Sequence, residues 1–525
     1  MPFLNSLRYK PYKWLFTVIL VGSIYLPLIL NGGIITDDWG DIRQTWDCYG
    51  FFNCYKEWFP LFSNRPLAPL PLTLSTKLFS MHYSWYLIAN SLIYFFALGF
   101  TSFALKPFLS TPNNQLFFFL AAVPCIALPL VASPINQLTA TVAFLYWAIS
   151  LNLLLRYCVT KNFWDYVFSY VFLLCGFLTY EIILPLLMFT AFLPALLKPT
   201  LIKYKLVYCY KFLLPIFLVL LIILLWQKIL APQFMEVFSR LRFDPSQLPR
   251  NLYTWLSVFF FQLPSLFFKS INYISPFVVI SFVAIAALFF LGSRESSESI
   301  SRRTRLYFFF ISTLSLLSCA FIFILSNESA VSWGYQARGL SSTWFAFAIF
   351  IASLLQLAEN WPKILRNTTS ILVLLLTCFS YLSFSIQRDN YIESWQLQMH
   401  ILKDALALIR QNVITPDTSI IGNVPRYVPN NYNRELVYSQ SWDFPMALVL
   451  YAKNVVRGGI VIDSRHNDLQ GLYIADDKAT VNDKGFVDLS NTWIYDYEPN
   501  TKKGTLTQIK NALDLQLLIE KWKRP

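Results

Sequence analysis

Directly after its first apolar stretch the chain runs Thr36-Asp37-Asp38-Trp39, two carboxylates side by side at the end of a candidate membrane helix. Ionisable groups at that depth are costly, so they are kept where they do work. Adjacent carboxylates repel, which raises the pKa of at least one unless a cation stands near. One of the pair can face a cavity between helices while the other faces the loop. A carboxylate so placed can take the proton of a hydroxyl. Asp41 and Asp47 follow in the same loop, and Asp41 is a candidate toward an acceptor or a metal ion. The bland alternative is a polar cluster that ends a helix at the interface.

Glu181, in Leu178-Thr179-Tyr180-Glu181-Ile182-Ile183, lies between two apolar stretches with almost no loop between them. It joins Asp37 and Asp38 as a catalytic candidate, unless the turn is fully exposed and the acid merely solvated. Tyr180 beside it is a second candidate toward acceptor or metal. Arg65, in Ser63-Asn64-Arg65-Pro66-Leu67, and Arg338, in Gly334-Tyr335-Gln336-Ala337-Arg338, are the matching cations. A guanidinium presents a planar fork that suits phosphate oxygens, so both are candidates for binding a donor phosphate. Arg240, Arg242 and Arg250 share that chemistry, and any of the five could instead snorkel toward lipid headgroups. Cys48 and Cys54, with five residues between them, could form a disulfide in an oxidising compartment or remain thiols. The histidines, His82, His400 and His466, make no ligand spacing, which argues against a His-based metal site or triad. No cofactor is implied, and use of a divalent metal stays open.

The elements that must carry these residues are membrane helices. With 56% hydrophobic, 18% aromatic and 14% charged residues over 525 positions, the chain is too apolar for a soluble globule. Eleven apolar stretches, near 14–31, 84–105, 116–132, 137–155, 163–180, 182–197, 212–229, 273–292, 306–325, 340–358 and 368–386, approach the ~17–25 residues a helix needs to cross a bilayer. The first lacks a small-residue cleavage site and reads as a signal anchor. Lys and Arg gather in alternate connections, at Arg8, Lys10 and Lys13, Lys203 and Lys205, Arg302, Arg303 and Arg305, and Lys363 and Arg366. By the positive-inside bias those connections and the N-terminus are cytoplasmic. The formal charge of +13 is then a topology signal rather than a nucleic-acid footprint.

Eleven crossings place residues 388–525 outside, so the expected division is a membrane domain, 1–387, and an extracytoplasmic domain, 388–525. The tail loses the long apolar runs and is neutral overall. An amphipathic helix over Tyr391–Gln411, short strands at Ser419–Val424, Ile460–Asp463 and Gly471–Ile474, and a helix over Lys510–Trp522 predict a small α/β or α+β domain. Two outer connections, 32–83 and 230–272, are long enough to suggest function. Trp58–Leu72 and Leu248–Phe268 within them read as helices lying in the outer interface. No glycine-rich phosphate loop, Gly-x-Ser-x-Gly elbow or internal repeat is present.

Outer carboxylates, outer arginines and a membrane location suit transfer of a group from a lipid-linked phosphate to a hydroxyl. The carboxylate would take the hydroxyl proton and arginine would stabilise the leaving phosphate. At this point the chain resembles the GT-C superfamily of multi-span glycosyltransferases that use polyprenyl-phosphate sugars, and among them the bacterial enzymes that modify O-antigen. The resemblance rests on Asp37-Asp38 after the first span, Asn64-Arg65-Pro66-Leu67 in a long first outer loop, Tyr180-Glu181 at a later outer turn, Arg338 and the outer C-terminal domain. It implies a GT-C-like bundle of about eleven helices, with Asp37 or Asp38 as base of an inverting displacement and Arg65 and Arg338 toward the donor phosphate. The implied partners are a polyprenyl-phosphate-linked sugar, a hexose by preference, a glycan or lipid acceptor, and membrane lipids, with no nucleic acid. The implied place is the inner membrane with a periplasmic C-terminal domain. Many relatives carry Asp-Glu where this chain carries Asp-Asp. A transporter or flippase of lipid-linked saccharides would place charges mid-span, where few are found here. A polymerase or ligase would favour arginines in a large late loop.

Overall fold

A computed structural model of the chain describes residues 11–46, 48–197, 202–234, 244–293, 300–326, 329–412, 414–415, 417–428, 435–438, 440, 442–452, 455–465, 472–475, 478–481 and 487–523. It is a polytopic bundle of apolar helices that ends in a small C-terminal sheet domain. Six helices among the described residues are long and apolar enough to cross a membrane: Tyr83–Leu105, Leu138–Thr160, Tyr210–Gln233, Arg302–Ile324, Tyr335–Ala358 and Lys363–Gln411. Shorter apolar helices, among them Thr17–Asn31, Phe163–Thr179 and Glu181–Leu196, complete the bundle.

Among the described residues the expected eleven full spans are not reached, and proline accounts for the clearest case. The stretch 116–132 is a helix only over Thr111–Ala122, followed by a turn and the four-residue helix Pro129–Ala132. Pro124 has no N–H to give and its ring clashes with the preceding turn, so the helix stops before it.

The last span is one helix with the start of the tail. Lys363–Gln411 runs for 49 residues without a break, about 70 Å at ~1.5 Å per residue and more than twice the ~30 Å of hydrocarbon. The expected boundary between residues 387 and 388 falls inside it, at the polar run Gln387-Arg388-Asp389-Asn390. Beyond it, strands β1 (Thr418–Asn423), β2 (Val456–Ile462), β6 (Thr492–Glu498) and β7 (Lys503–Ile509) form a sheet in the order β2-β1-β6-β7. β1 is parallel to both neighbours, and β7 closes the edge antiparallel to β6. The helix Asp443–Ala452 makes the crossover from β1 to β2, as a parallel pair requires. Strands β3 (Leu472–Ala475), β4 (Lys478–Val481) and β5 (Val487–Asp488) make a second, antiparallel sheet.

The connection 32–83 packs into the tail. Ile34, Trp39, Ile42, Trp58 and Leu72 share one buried cluster with Ile401, Leu402, Tyr438, Phe444 and Leu448. The stretch Trp58–Leu72, expected as one interfacial helix, is instead the end of the helix Phe51–Trp58, a run of turns and the start of the helix Pro69–Phe79; Trp58 and Leu72 are buried and Leu61 and Leu70 exposed. The second expected interfacial segment is helical over Leu248–Ser257, Val258–Gln262 and Leu263–Ser270, and it does expose Tyr253, Phe260, Phe261 and Phe268.

Candidate functional site

The two adjacent acids begin a helix, Asp37–Trp46. Thr36 before them takes φ of 46°, a left-handed conformation that costs a non-glycine residue ~1–2 kcal/mol and is held by its surroundings. Carboxylates in the first turn complement the positive end of the helix dipole. From that shared position the two side chains diverge.

Asp38 turns inward and is fully buried. Its Oδ2 accepts from the Ile35 backbone N–H at 3.2 Å, tying the helix to the residue that precedes it. Its Oδ1 accepts from the Asn136 N–H at 2.9 Å and the Ser133 hydroxyl at 3.2 Å. Burial pushes its pKa up to about 7, the hydrogen bonds from Asn136, Ile35 and Ser133 oppose that, and the Asp37 charge adds to it. Asp41, one turn on, is also buried. Desolvation, followed by the charges of Asp38 and Asp37, raises its carboxyl well above the usual range, against Asn136 and Arg338. Its Oδ2 has no hydrogen-bond partner among the described residues.

Asp37 turns outward. Its Oδ2 accepts from the Tyr335 hydroxyl at 2.9 Å and forms an ion pair with Arg338 Nη1 at 3.6 Å. The Arg338 guanidinium lies over the Tyr335 ring, 4.0 Å from its centroid. The side chains of Asp37 and Arg338 keep 29% and 24% of their surface, enough for each to meet a ligand. Tyr335 and Arg338 are three apart in the 3-10 turn Tyr335–Leu340, and positions i and i+3 eclipse in that geometry. The turn follows Gly334 at φ 67°, where glycine is favoured. The structure brings together the two candidates Asp37 and Arg338, and with them Tyr335, which was not among the candidates. The signal was the i, i+3 pairing of an aromatic with the arginine.

Arg65, Tyr180 and Glu181 form a separate constellation. Arg65 Nε donates to Glu181 Oε2 at 2.6 Å, and Arg65 Nη2 pairs with Glu181 Oε1. The guanidinium lies 4.0 Å from the centroid of the Tyr180 ring. Burial alone would lower the Arg65 pKa, but Glu181 and Tyr180 reverse the sign and hold it above its ordinary value. The Arg65 side chain is 7% exposed and that of Glu181 37%. Neighbouring bonds run the same way: Leu67 N–H to the Leu178 carbonyl at 3.0 Å, and Trp226 Nε1 to the Ser63 carbonyl at 2.7 Å. The group fastens the connection 32–83 to the ends of two helices.

Cys48 and Cys54 are joined by a disulfide, Cα to Cα 5.2 Å. Lys77 Nζ donates to the Thr45 and Cys48 carbonyls beside it, at 2.8 and 2.5 Å. Arg250 is exposed on the helix Leu248–Ser257. Asp47, Arg240 and Arg242 lie outside the described residues. Among the described residues no three His, Cys, Asp or Glu side chains converge as a metal-ligand set. The chemistry open to this arrangement is proton transfer at Asp37 and anion binding at Arg338, side by side. Asp38 exposes no surface.

No family model matches the chain, and no curated protein sequence matches it. Among solved structures, ArnT from Cupriavidus metallidurans in the apo state aligns at 14% identity with a TM-score of 0.35, covering 84% of this chain and 89% of that one. The same protein bound to undecaprenyl phosphate aligns at 14% identity and 0.36, covering 94% of each chain.

Proposed function

We propose that this chain is an inverting membrane glycosyltransferase that moves a sugar, a hexose by preference, from a polyprenyl-phosphate donor to a hydroxyl of a cell-surface glycan or lipid-linked acceptor on the outer face of the membrane. The observation that carries this reading is the partly exposed Asp37 carboxylate beside the partly exposed Arg338 guanidinium, 3.6 Å apart and both braced by Tyr335. Transfer from a lipid phosphate needs one group to accept a proton and another to meet the departing anion, a few ångströms apart. In the reaction Asp37 accepts the acceptor's hydroxyl proton. That oxygen forms a bond to the anomeric carbon from the face opposite the phosphate. The carbon–oxygen bond to phosphate breaks with its electron pair going to the leaving group, and Arg338 neutralises the polyprenyl phosphate released. Asp38 holds the start of the helix through Ile35, Ser133 and Asn136. Arg65 and Glu181 neutralise each other, so the reading gives them the bracing of the outer connection, and Arg338 the donor phosphate.

The test is transfer of labelled sugar from a panel of polyprenyl-phosphate sugars to membrane glycans, with wild type and Asp37→Asn compared at matched membrane abundance. Donor-dependent transfer that Asp37→Asn abolishes supports the proposal. Movement of intact lipid-linked saccharide across the bilayer without transfer would replace it with a transport function.

A further inference from the structure

The tail's role is not legible in its own residues, yet its first helix grips the acid-bearing segment. Tyr391, Trp395 and Gln398 stand at i, i+4 and i+7 of Lys363–Gln411, one face of a helix. The Tyr391 hydroxyl lies between the carbonyls of Gly33 and Ala132, 2.7 Å from the first. The Trp395 ring covers Gly33 so closely that a Cβ there would sit 2.2 Å from it, and it stacks on Trp39 at 6.0 Å between centroids. Gln398 Oε1 accepts from Trp39 Nε1 at 3.0 Å. Both residues are fully buried. The Gln398 backbone carbonyl accepts from the Tyr438 hydroxyl at 2.9 Å, which anchors this point of the helix to the tail. Farther along, Ile401, Leu402, Ala405 and Leu406 enter the core of the C-terminal domain.

Trp39 sits two residues after Asp37, in the first turn of the same short helix. A carboxylate is carried ~5 Å from a helix axis, so a rotation of ~15° moves it by more than ~1 Å. The indole hydrogen bond is a buried polar contact between that helix and the tail helix, and a buried indole N–H left without an acceptor would favour a different packing. We propose that Gln398 is a positioning residue for the Asp37 carboxylate: by accepting the Trp39 indole hydrogen bond it sets the rotation of the acid-bearing helix and makes the tail part of the catalytic device. This rests on the glycosyltransferase reading above.

The experiment uses the full chain in lipid nanodiscs, with ¹⁵N-indole labelling and the Trp39 signal assigned by Trp39→Phe. Gln398→Leu removes the acceptor, and Gln398→Glu retains one. The expected result is loss of exchange protection at the Trp39 indole in Gln398→Leu, with kcat for transfer down by ~10–100-fold and donor KM within about twofold. Gln398→Glu should recover most of both. In a Trp39→Phe background, Gln398→Leu should cost less than about twofold further, because the partner is already gone. Where Gln398→Leu is too unstable to purify, Trp39→Phe and Gln398→Glu decide the matter. Trp39→Phe with unchanged kcat overturns the proposal, as does Gln398→Leu with an unchanged indole signal or with transfer intact despite a lost one. A wild-type protein that transfers no sugar overturns the functional reading and this role with it. The indole signal reads the hydrogen bond independently, so the two failures are distinguishable.

Discussion

Asp37→Asn and Asp38→Asn make the same chemical change at neighbouring positions and should fail in different ways. At Asp37 the change removes a proton acceptor that is partly exposed and keeps a hydrogen-bond acceptor for Tyr335. General-base catalysis contributes ~10²–10⁴-fold, so kcat should fall by that factor, about 3–5 kcal/mol in activation free energy, with fold and abundance near wild type. At Asp38 the two carboxylate oxygens accept from Ile35, Asn136 and Ser133 in a fully buried site. An amide replaces one oxygen with a donor, which must then face the Ile35 N–H or the Asn136–Ser133 pair. One buried donor goes unmet, at a cost of ~1–3 kcal/mol. That loss should appear as a lower thermal midpoint and lower abundance, with transfer per folded molecule reduced less than about tenfold by the shifted helix. The assay is sugar transfer normalised to folded protein, with thermal unfolding in the same lipid. The reasoning is refuted if Asp38→Asn is as stable as wild type and loses transfer by orders of magnitude while Asp37→Asn retains it. Asp38 would then be the base.

Asp38 also sets a pH dependence: burial raises its folded pKa to about 7 from an ordinary value of 3.8. The folded state therefore holds the proton longer than the unfolded state, and stability contributed by this site falls as pH rises from about 4 to about 7. Thermal unfolding between pH 5 and pH 8 should show that the deficit of Asp38→Asn shrinks as pH rises, and a constant deficit would count against a protonated Asp38. Arg65→Ala removes the ion pair with Glu181. Breaking a fully buried pair costs ~3–5 kcal/mol, and the exposure of Glu181 places this one below that range. The double change with Glu181→Ala should cost less than the sum of the two single changes, read from thermal midpoints. Gly33→Ala drives a methyl into the Trp395 ring and should cost ~1–3 kcal/mol by overpacking. Adding Trp395→Ala should recover part of that loss, and full additivity would place the clash elsewhere.

Several parts of the tail were legible because their signals are local. The amphipathic run Tyr391–Gln411, the apolar β1 segment and the C-terminal helix carry their periodicity in the chain itself, and the structure has helix or strand at each. The crossover helix Asp443–Ala452 and strands β6 and β7 went unread. β7, Lys-Gly-Thr-Leu-Thr-Gln-Ile, is a largely exposed edge strand with little apolar pattern, and its place depends on pairing with β6. Among the membrane helices, composition marked where apolar chain lies but did not register the break at Pro124.

What the sequence determined by itself was the kind of protein and its chemical inventory: apolar helices long enough to need a membrane, and acids and arginines at their ends where burial would be costly. Only the tertiary structure decided which of those groups meet. Asp37 and Arg338 are 301 positions apart and Trp39 and Gln398 359, and their pairing follows from helix packing that leaves no trace in local spacing. The structure also gave the adjacent acids opposite fates, because successive residues on a helix point about 100° apart. One carboxylate is carried into a buried nest of donors and the other toward an arginine and open surface.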